Sequence, residues 1–383
     1  MNPERSIDLA VELDVESSVE LVVVVPTFCE RDNVVELVKR LHDALEGIRW
    51  EAMFVDDDSP DDTAAAVRAI GRSNRRIRCL QRIGRRGLSS ACIEGMLASA
   101  APIIAVMDAD LQHDETRLPV MLKRIREDEA DLVIATRYAG DRGVDTWDPS
   151  RVKMSLTATR LSRFVHDRNV SDPMSGFFML KRELLDSVLR NLSAIGFKLL
   201  LDILATAKQP ITISEVSYTF RNRSRGESKL DTLALWDFGM LLLEKSVGRL
   251  IPARFVAFGL IGGSGIFVHM AVAAVLIRSQ PSFLLAQTIA TASAMVFNYS
   301  LNNVLTYRDL RRRRFAWVTG LIAFASACSF GALLNVAIAT YLYGKDAPWM
   351  LAAFSGIIVG AVWNYAVAAR WTWSLRPTRR PRS

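Results

Sequence analysis

Two kinds of hydrophobic pattern divide the chain. Up to about residue 232, short apolar runs of strand length alternate with segments whose apolar residues recur at helical spacing. The runs of strand length lie near residues 21–25, 52–55, 77–80, 103–107, 132–135 and 211–218. Strands and helices that alternate in this way predict an α/β domain with a mainly parallel, Rossmann-like sheet covered on both faces.

After Arg254 the pattern changes to long stretches that carry no Asp, Glu, Lys or Arg. These stretches cover residues 255–277, 279–307, 315–344 and 347–369. A helix crosses the apolar core of a bilayer with about 20 residues, and each stretch is long enough to do so. We therefore predict an all-α domain of four transmembrane helices. Charge-free stretches of this length argue against the alternative of a helical domain in water.

These patterns predict five segments. They are an acidic flexible leader (1–20), an α/β domain (21–229), amphipathic interfacial helices (230–252), a four-helix transmembrane domain (253–375) and a basic tail (376–383). The leader contains no apolar stretch typical of a signal peptide. The third segment has a shared apolar helical face that favours a helix lying on the membrane, although a packed linker helix is an alternative; this face is formed by Leu233, Trp236, Met240, Leu243 and Val247.

The chemistry is predicted to centre on the strand at 103–107 and the residues that follow it. Asp108, Asp110 and Gln112 stand two residues apart directly after this strand, so their side chains can converge. Two neighbouring carboxylates repel each other unless a proton or a cation lies between them. Oxygen ligands of this kind suit Mg²⁺ or Mn²⁺ that also binds substrate phosphates. A polar turn without a metal is the alternative reading of this motif alone.

Polar clusters also follow the other predicted strands. They are Pro26-Thr27-Phe28, Asp56-Asp57-Asp58, Arg82 with Arg85, and Thr136-Arg137-Tyr138. Ligands bind at the carboxyl edge of open α/β sheets, where these clusters are expected to meet. Carboxylates can hold ribose hydroxyls and a metal, and arginines can hold phosphates, which predicts a nucleotide diphosphate ligand. The absence of Gly-x-Gly-x-x-Gly and of a phosphate-loop lysine motif disfavours dinucleotide oxidoreductases and P-loop enzymes.

The net charge of +7 is unevenly distributed. Arginines are concentrated beside the apolar stretches, at 308, 311–314, 370, 376, 379, 380 and 382. Anionic lipid headgroups or a phosphorylated substrate are therefore expected as partners, rather than nucleic acid. The positive-inside rule places both termini and the α/β domain in the cytoplasm. The four scattered cysteines indicate a reducing compartment and no zinc site.

The apolar half contains an internal repeat. Val-Phe-Asn-Tyr at 296–299 with Thr-Tyr at 306–307 returns as Val-Trp-Asn-Tyr at 362–365 with Thr-Trp at 372–373. Two copies of a helical hairpin in the same orientation form a parallel repeat. Gly259 and Gly263 are expected to permit close helix packing. The asparagines at 298, 302, 303 and 364 are expected to form interhelical hydrogen bonds, with a lipid phosphate or a partner as the alternative.

Five motifs together resemble glycosyltransferase family 2, and most closely its polyprenol-phosphate (dolichol-phosphate) mannose synthases. They are Val-Val-Pro-Thr-Phe-x-Glu (24–30), Val-Asp-Asp-Asp-Ser-Pro-Asp (55–61), Asp-Ala-Asp-Leu-Gln-His (108–113), Asp-Pro-Met-Ser-Gly-Phe (172–177) and Arg-x-x-Gly-Glu-Ser-Lys-Leu (223–230). Residues 254–373 look like the GtrA-like four-helix membrane domain that is sometimes fused to such enzymes.

The resemblance implies a GT-A fold and a set of site residues. The site would hold Mg²⁺ or Mn²⁺, and the metal ligands would be Asp108, Asp110 and Gln112. The donor would also contact Pro26, Thr27, Glu30, Val55, Asp57, Ala109, Arg137, Arg223 and Lys229. Among these residues, the catalytic ones would be Asp110, Arg137 and Arg223. The acceptor phosphate would contact Arg151 and Ser155.

The family resemblance implies the transfer of mannose from GDP-mannose to a polyprenyl monophosphate, with inversion, at the cytoplasmic face of a prokaryotic cell membrane. A related synthase that uses UDP-glucose is one alternative. A processive polysaccharide synthase is disfavoured because no Gln-x-x-Arg-Trp occurs. A lipid-phosphate flippase or scaffold role of the membrane domain also stays open. Oligomers through the membrane domain are compatible with the sequence.

Overall fold

A computed structural model describes residues 18–127, 129–137, 157, 159–193, 196–219, 221, 232–247, 251–278 and 283–373. The chain divides into two compact units, Met1–Ser246 and Val247–Ser383. Most of the predicted acidic leader and the predicted basic tail lie outside the described residues, as do residues 138–150 and the motif at 223–230.

The first unit is built on a seven-stranded sheet with the order β3-β2-β1-β4-β6-β5-β7. Its strands are β1 (Leu21–Thr27), β2 (Trp50–Asp56), β3 (Ile77–Gln81), β4 (Ile103–Val106), β5 (Leu132–Thr136), β6 (Phe178–Lys181) and β7 (Ile213–Ser217). All neighbouring strands are parallel except where β6 pairs with β4 and β5. The mainly parallel sheet predicted from the sequence is confirmed.

Helices cover both faces of this sheet. They are α1 (Arg31–Ala44), α2 (Thr63–Ser73), α3 (Leu88–Leu97), α4 (Leu118–Arg126), α5 (Arg182–Val188), α6 (Leu199–Thr206) and α7 (Thr232–Val247). Successive residues of β1 point to opposite faces, so Val23 packs in the core that contains Leu37 of α1, and Val22 packs in the core that contains Met96 of α3. Burial on both faces explains why the central strands are continuous apolar runs rather than alternating ones.

Strand β6 was not predicted from the sequence. It contains four residues and follows the polar turn at 172–176, so its apolar run is too short to stand out. It lies antiparallel between β4 and β5, with Phe178 opposite Val106. Its amino end therefore lies at the same edge of the sheet as the carboxyl ends of its neighbours.

Helix α7 packs on the first unit. Phe238 and Leu241 lie in an apolar cluster with Met174 and Leu201. Lys245 at the end of α7 forms an ion pair with the buried Asp202 of α6, with 2.5 Å between Nζ and Oδ1. These contacts match the linker-helix alternative for one face of α7, and membrane contact through another face stays a prediction.

The second unit consists of apolar helices. They are α8 (Ala253–Arg278), α9 (Phe283–Val304), α10 (Phe315–Tyr343) and α11 (Trp349–Val367). The described parts of two of them, Ala253–Leu276 and Phe315–Asn335, are long and apolar enough to cross a membrane. The helical positions match the sequence prediction, whereas membrane crossing by α9 and α11 stays a prediction.

Equivalent glycine–asparagine contacts join the helices of each hairpin. A Cβ atom on Gly265 of α8 would lie 2.4 Å from Asn298 Oδ1 of α9, and one on Gly331 of α10 would lie 2.0 Å from Asn364 Oδ1 of α11. Gly331 and Asn364 each follow their counterparts by 66 residues, which is the period of the sequence repeat. The predicted repeat is thus expressed as two matching helix contacts.

The prediction for Gly259 and Gly263 is wrong, because a Cβ atom on either would meet nothing within 4 Å. Both glycines lie on α8, but Gly265 is the one whose α-carbon faces the neighbouring helix. Glycine spacing alone does not reveal which side of a helix packs, and the partner asparagine does.

Candidate active site

Residues from five strands meet at one edge of the sheet. β1, β2, β4 and β5 end there, and β6 begins there because it runs in the opposite direction. The predicted polar clusters after β1, β2, β4 and β5 therefore share one rim, together with the turn at 172–176. Ligands bind at this edge in open α/β sheets.

The ends of β1 and β2 are joined by hydrogen bonds. Pro26 faces Val55 in the parallel register. Thr27 Oγ1 donates to the carbonyl oxygen of Val55 at 3.3 Å, and the backbone N–H of Asp57 donates to the carbonyl oxygen of Thr27 at 3.0 Å. Glu30 lies just beyond β1, where its backbone N–H donates to Thr63 Oγ1 at 3.1 Å. The structure thus brings together four of the residues predicted to contact the donor, with Glu30 beside them.

Asp57 is held by a buried arginine that the sequence analysis placed only on the rim. Arg82 Nη1 donates to Asp57 Oδ1 at 2.6 Å, and the Gly87 N–H donates to Asp57 Oδ2 at 2.7 Å. Arg82 Nη2 donates to Ser90 Oγ at 2.6 Å. Burial raises the pKa of the Asp57 carboxyl, with the Gly87 hydrogen bond and the Arg82 charge opposing that shift. Arg82 therefore fixes both the carboxylate and the loop before α3.

The two carboxylates of Asp108 and Asp110 follow β4. Asp110 is 8% exposed, and its Oδ1 accepts a hydrogen bond from the Gln112 N–H at 3.1 Å. The side chain of Asp108 is 36% exposed. A Cβ atom on Gly176 would lie 3.0 Å from Asp108 Oδ2, so the turn before β6 approaches this carboxylate closely. Leu111 has a φ of 63°, a left-handed conformation that turns the chain back at this point.

Arg221 closes the loop that carries the acidic motif. Its backbone N–H donates to the Gln112 carbonyl oxygen at 2.9 Å, and Gln112 Nε2 donates to its carbonyl oxygen at 3.1 Å. Its guanidinium donates to Glu115 Oε2 at 2.8 Å and to Asp114 Oδ1 at 3.2 Å. Arg221 thus fixes the loop that carries the acidic motif through both its backbone and its side chain.

An aromatic cluster contacts Asp108 through His113. His113 stacks on Phe177 with 5.2 Å between ring centroids and meets Tyr218 edge-on at 5.9 Å. Burial lowers the pKa of His113 to about 4, so the ring is neutral near pH 7. The Asp108 N–H donates to His113 Nδ1 at 3.4 Å. A neutral ring can accept that hydrogen bond at Nδ1 while it carries its proton on Nε2.

Arg137, which follows β5, is bound by a buried carboxylate. Its Nε donates to Asp172 Oδ2 at 2.7 Å and its Nη2 donates to Asp172 Oδ1 at 2.9 Å. Asp172 is fully buried and lies in the Asp-Pro-Met-Ser-Gly-Phe turn. This bidentate pair fixes the plane of the guanidinium. The predicted role of Arg137 as a phosphate ligand stays a prediction.

Lys198 is a second cation beside this pair. It precedes α6 and is partly buried. Burial lowers the pKa of its amine, and the charge of Arg137 lowers that pKa further, while Asp172 and Asp108 oppose the shift. Lys198 therefore lies within the field of the same charged groups. No sequence signal marks Lys198 as a site residue, because Gly-Phe-Lys directly before the apolar residues at 199–201 resembles an ordinary helix start.

Four predicted site residues lie outside the described residues. They are Arg151, Ser155, Arg223 and Lys229.

The metal prediction concerns Asp108, Asp110 and Gln112, which the structure brings to one loop. Among the described residues there is no group of three or more His, Cys, Asp or Glu side chains that could hold a metal ion. Mg²⁺ is commonly bound through one or two carboxylates and substrate phosphates, and the two acidic side chains with the Gln112 amide fit that donor set.

Comparison with known proteins identifies the chain as a glycosyltransferase. Residues 22–189 match the sequence model described as glycosyl transferase family 2, and residues 257–373 match the GtrA/DPMS transmembrane domain. The chain is 32% identical over 356 residues to the dolichol-phosphate mannosyltransferase of Pyrococcus furiosus, covering 92% of this chain and 99% of that protein. It is 35% identical over 250 residues to the dolichol-phosphate mannosyltransferase of Saccharomyces cerevisiae, covering 63% of this chain and 92% of that protein.

The chain belongs to the dolichol-phosphate mannosyltransferase family and joins a glycosyltransferase family 2 domain to a GtrA-type membrane domain. The predicted family and enzyme class are confirmed, and so is a mainly parallel α/β domain joined to a domain of apolar helices; four membrane crossings stay a prediction. Similar solved structures include glucosyl-3-phosphoglycerate synthase from Mycobacterium tuberculosis with Mn²⁺, uridine diphosphate and phosphoglyceric acid. That likeness has 19% identity, covers 60% of this chain and 80% of that chain, and has a TM-score of 0.46. At this level it extends to no ligand or site residue of this chain.

Proposed function

We propose that the protein transfers mannose from GDP-mannose to a polyprenyl monophosphate of the dolichyl type. The observation that carries this proposal is the match over 92% of the chain to a protein named dolichol-phosphate mannosyltransferase, which includes both domains. A catalytic domain with carboxylates and cations at one sheet edge suits a water-soluble donor, and an apolar helical domain in the same chain suits a membrane-bound acceptor.

The nucleoside is proposed to bind at the ends of β1 and β2. Asp57 accepts hydrogen bonds from ribose hydroxyls while Arg82 keeps its carboxylate in place. Contacts to the base come from Pro26, Thr27 and Val55, with Glu30 at the edge of the site. The joined strand ends support this placement, because the hydrogen bonds between Thr27, Val55 and Asp57 leave little freedom for their relative positions.

The diphosphate is proposed to bind at the end of β4. Asp108, Asp110 and Gln112 hold a Mg²⁺ or Mn²⁺ ion, and the Ala109 backbone lies between the two carboxylates. When bound, the ion neutralises charge on the diphosphate. The close approach of Gly176 to Asp108 leaves room for no side chain at that point, which supports a compact ligand site.

Cations complete the phosphate sites in this proposal. The departing diphosphate is bound by Arg137, whose guanidinium plane is fixed by Asp172, and by Lys198. It is also bound by Arg223 and Lys229. Arg151 and Ser155 hold the acceptor phosphate. Such a site lowers the barrier to transfer mainly through fixed cationic groups that stabilise the negative charge developing on the departing phosphate.

In the reaction, an oxygen of the polyprenyl phosphate forms a bond to C1 of mannose as the bond from C1 to the β-phosphate oxygen breaks. GDP leaves with the electron pair of that bond, and attack from the opposite side inverts the configuration at C1. The acceptor is already an anion near neutral pH, so no strong general base is needed. Positioning of the two phosphates therefore supplies most of the catalysis.

The proposed topology places both termini and the catalytic domain in the cytoplasm of a prokaryotic cell. The arginines at 308 and 311–314 and those after residue 369 support it through the positive-inside rule. The parallel repeat supports four membrane crossings, with α7 bringing the site to the lipid surface. Association of copies through the membrane domain is compatible with this arrangement.

Replacement of Asp110 tests the site. In the full chain in detergent with Mn²⁺, D110A is expected to lower mannosyl transfer by a factor of about 100 or more, the loss typical of a group that stabilises developing charge. The matched control is D43A, since Asp43 is exposed on α1. Transfer by D110A at the rate of the control would contradict the proposed role of the acidic motif.

A further inference from the structure

The loop between α9 and α10 presents a cluster of exposed arginines. Arg311, Arg313 and Arg314 are exposed in this loop, and Arg370 is exposed after α11. Among the described residues, none of these four side chains forms a hydrogen bond or an ion pair. Residues 251–373 contain only two acidic side chains, Asp309 and Asp346, so the cluster has few possible counter-charges in its own unit.

Hydrogen bonds from the Asn303 side chain fix the backbone of this loop. Asn303 Oδ1 accepts a hydrogen bond from the Arg312 N–H at 2.8 Å, and its Nδ2 donates to the Arg312 carbonyl oxygen at 3.0 Å. Trp373 Nε1 also donates to Asn303 Oδ1, at 3.1 Å. Trp373 in turn stacks on Tyr307 with 4.1 Å between ring centroids.

The side chain of Arg312 connects this loop to the end of α11. Its Nη2 donates to the carbonyl oxygen of Trp371 at 3.3 Å. Arg312 is thus used within the fold, and the same contact brings Arg370 and Trp371 to the loop that carries the exposed arginines. We call these four exposed cations, three on the loop and one next to the residue that Arg312 contacts, the arginine rim.

Large aromatic side chains are exposed next to these arginines in the sequence. Phe315 is 79% exposed directly after Arg314, and Trp371 is 68% exposed directly after Arg370. A solvated cationic face does not explain exposed Phe and Trp side chains. Aromatic and cationic residues together at the ends of apolar helices are typical of the level of lipid headgroups.

We propose that the arginine rim is a binding surface for the phosphates of anionic diacyl phospholipids. Each guanidinium can donate to phosphate oxygens, and Phe315 and Trp371 contact the adjoining acyl region. This inference concerns the second unit alone and does not depend on which sugar or acceptor the first unit uses.

Lipid binding to the full chain tests the proposal. Phosphatidylglycerol, phosphatidylcholine and polyprenyl phosphate are titrated separately into the detergent-solubilised protein, and bound lipid is counted by native mass spectrometry. The wild type is expected to prefer phosphatidylglycerol to phosphatidylcholine. R311Q/R313Q/R314Q is expected to bind phosphatidylglycerol ~100-fold more weakly, from the loss of three cations near the lipid surface. R311K/R313K/R314K retains the charge and is expected to keep the preference.

The matched control is K39Q/R72Q/R75Q, which removes three exposed cations from the first unit. Thermal unfolding in phosphatidylcholine nanodiscs verifies that each variant is folded. An unchanged preference in the glutamine loop variant, or an equal loss in the control, would overturn the proposal. So would binding that depends on the loop for polyprenyl phosphate but not for phosphatidylglycerol, since the ligand would then be the acceptor. Mannosyl transfer, measured in parallel, reports on the proposed function independently.

Discussion

Arg82 and Asp57 form a buried ion pair at the end of β2, with 2.6 Å between Nη1 and Oδ1 and side chains that are 2% and 10% exposed. Removing one partner of a buried pair leaves an uncompensated charge. R82M is therefore expected to lower the free energy of unfolding by about 3 kcal/mol. Denaturant unfolding in detergent, followed by fluorescence, measures this change.

The control for this prediction is R85M. Arg85 pairs with Glu94 on the surface, where an ion pair contributes about 1 kcal/mol or less. D57N/R82M is expected to be less destabilised than the sum of its single variants, because neither charge is left alone. Additive effects of the two substitutions would show that the pair is not coupled.

Lys198 is predicted to bind a phosphate during transfer. A hydrogen bond to a charged group contributes about 1.5–3 kcal/mol, so K198M is expected to lower kcat/KM by about 10- to 100-fold. K198R is expected to restore part of the loss, and the exposed Lys208 supplies the control K208M. A rise in the KM for GDP-mannose assigns the contact to the donor, and a rise in the KM for the lipid assigns it to the acceptor. Equal kcat/KM values for K198M and K208M would rule out the contact.

The glycine–asparagine contacts of the second unit predict two equivalent weak points. G265A and G331A each place a methyl group against an asparagine side chain, and overpacking of this kind costs about 1–3 kcal/mol. G262A is the matched control on the same helix, since a Cβ atom there meets nothing within 4 Å. Thermal unfolding in detergent is expected to show a lower midpoint for both test variants and no loss for the control. A tolerated G331A would mean that the two hairpins do not share this contact.

Glu20 and Arg126 predict a pH-dependent contribution to stability. The hydrogen bond from Arg126 lowers the pKa of Glu20, with 2.7 Å between Nε and Oε1. A lowered carboxyl pKa means that this contribution is present above the unfolded pKa of about 4.3 and is lost as pH falls through the folded pKa. E20Q is expected to be less stable than the wild type by about 0.5–1 kcal/mol at pH 7, with the difference shrinking in acid. Unfolding curves at several pH values measure it, and a difference that grows below pH 4 would contradict the sign.

The sheet and the acidic motif were predictable because they depend on local patterns. Continuous apolar runs mark strands buried on both faces, and polar residues directly after them mark the carboxyl edge. The site partners of these residues were not predictable in the same way. Asp172 meets Arg137 only because β6 enters the sheet between β4 and β5, and a strand of four residues, three of them apolar, gives no clear sequence signal.

In the membrane domain, too, the local pattern was predictable and the packing partners were not. The 66-residue repeat was visible in the asparagine and aromatic residues of α9 and α11. Their glycine partners on α8 and α10 were not identified correctly. Gly259 and Gly263 are glycines of the same helix as Gly265, but they do not lie on the side that packs against Asn298. Which side packs depends on the neighbouring helix, and a single helix sequence does not contain that information.

Transfer of radiolabelled sugar to polyprenyl phosphate, in membranes that contain the protein, tests the central claim most directly. GDP-mannose and UDP-glucose are compared as donors, with Mn²⁺ and after its removal by a chelator. The account predicts labelled mannosyl lipid from GDP-mannose that requires the metal, and little product from UDP-glucose. Label that reaches the lipid only from UDP-glucose, or mannosyl transfer that survives complete removal of divalent ions, would contradict it.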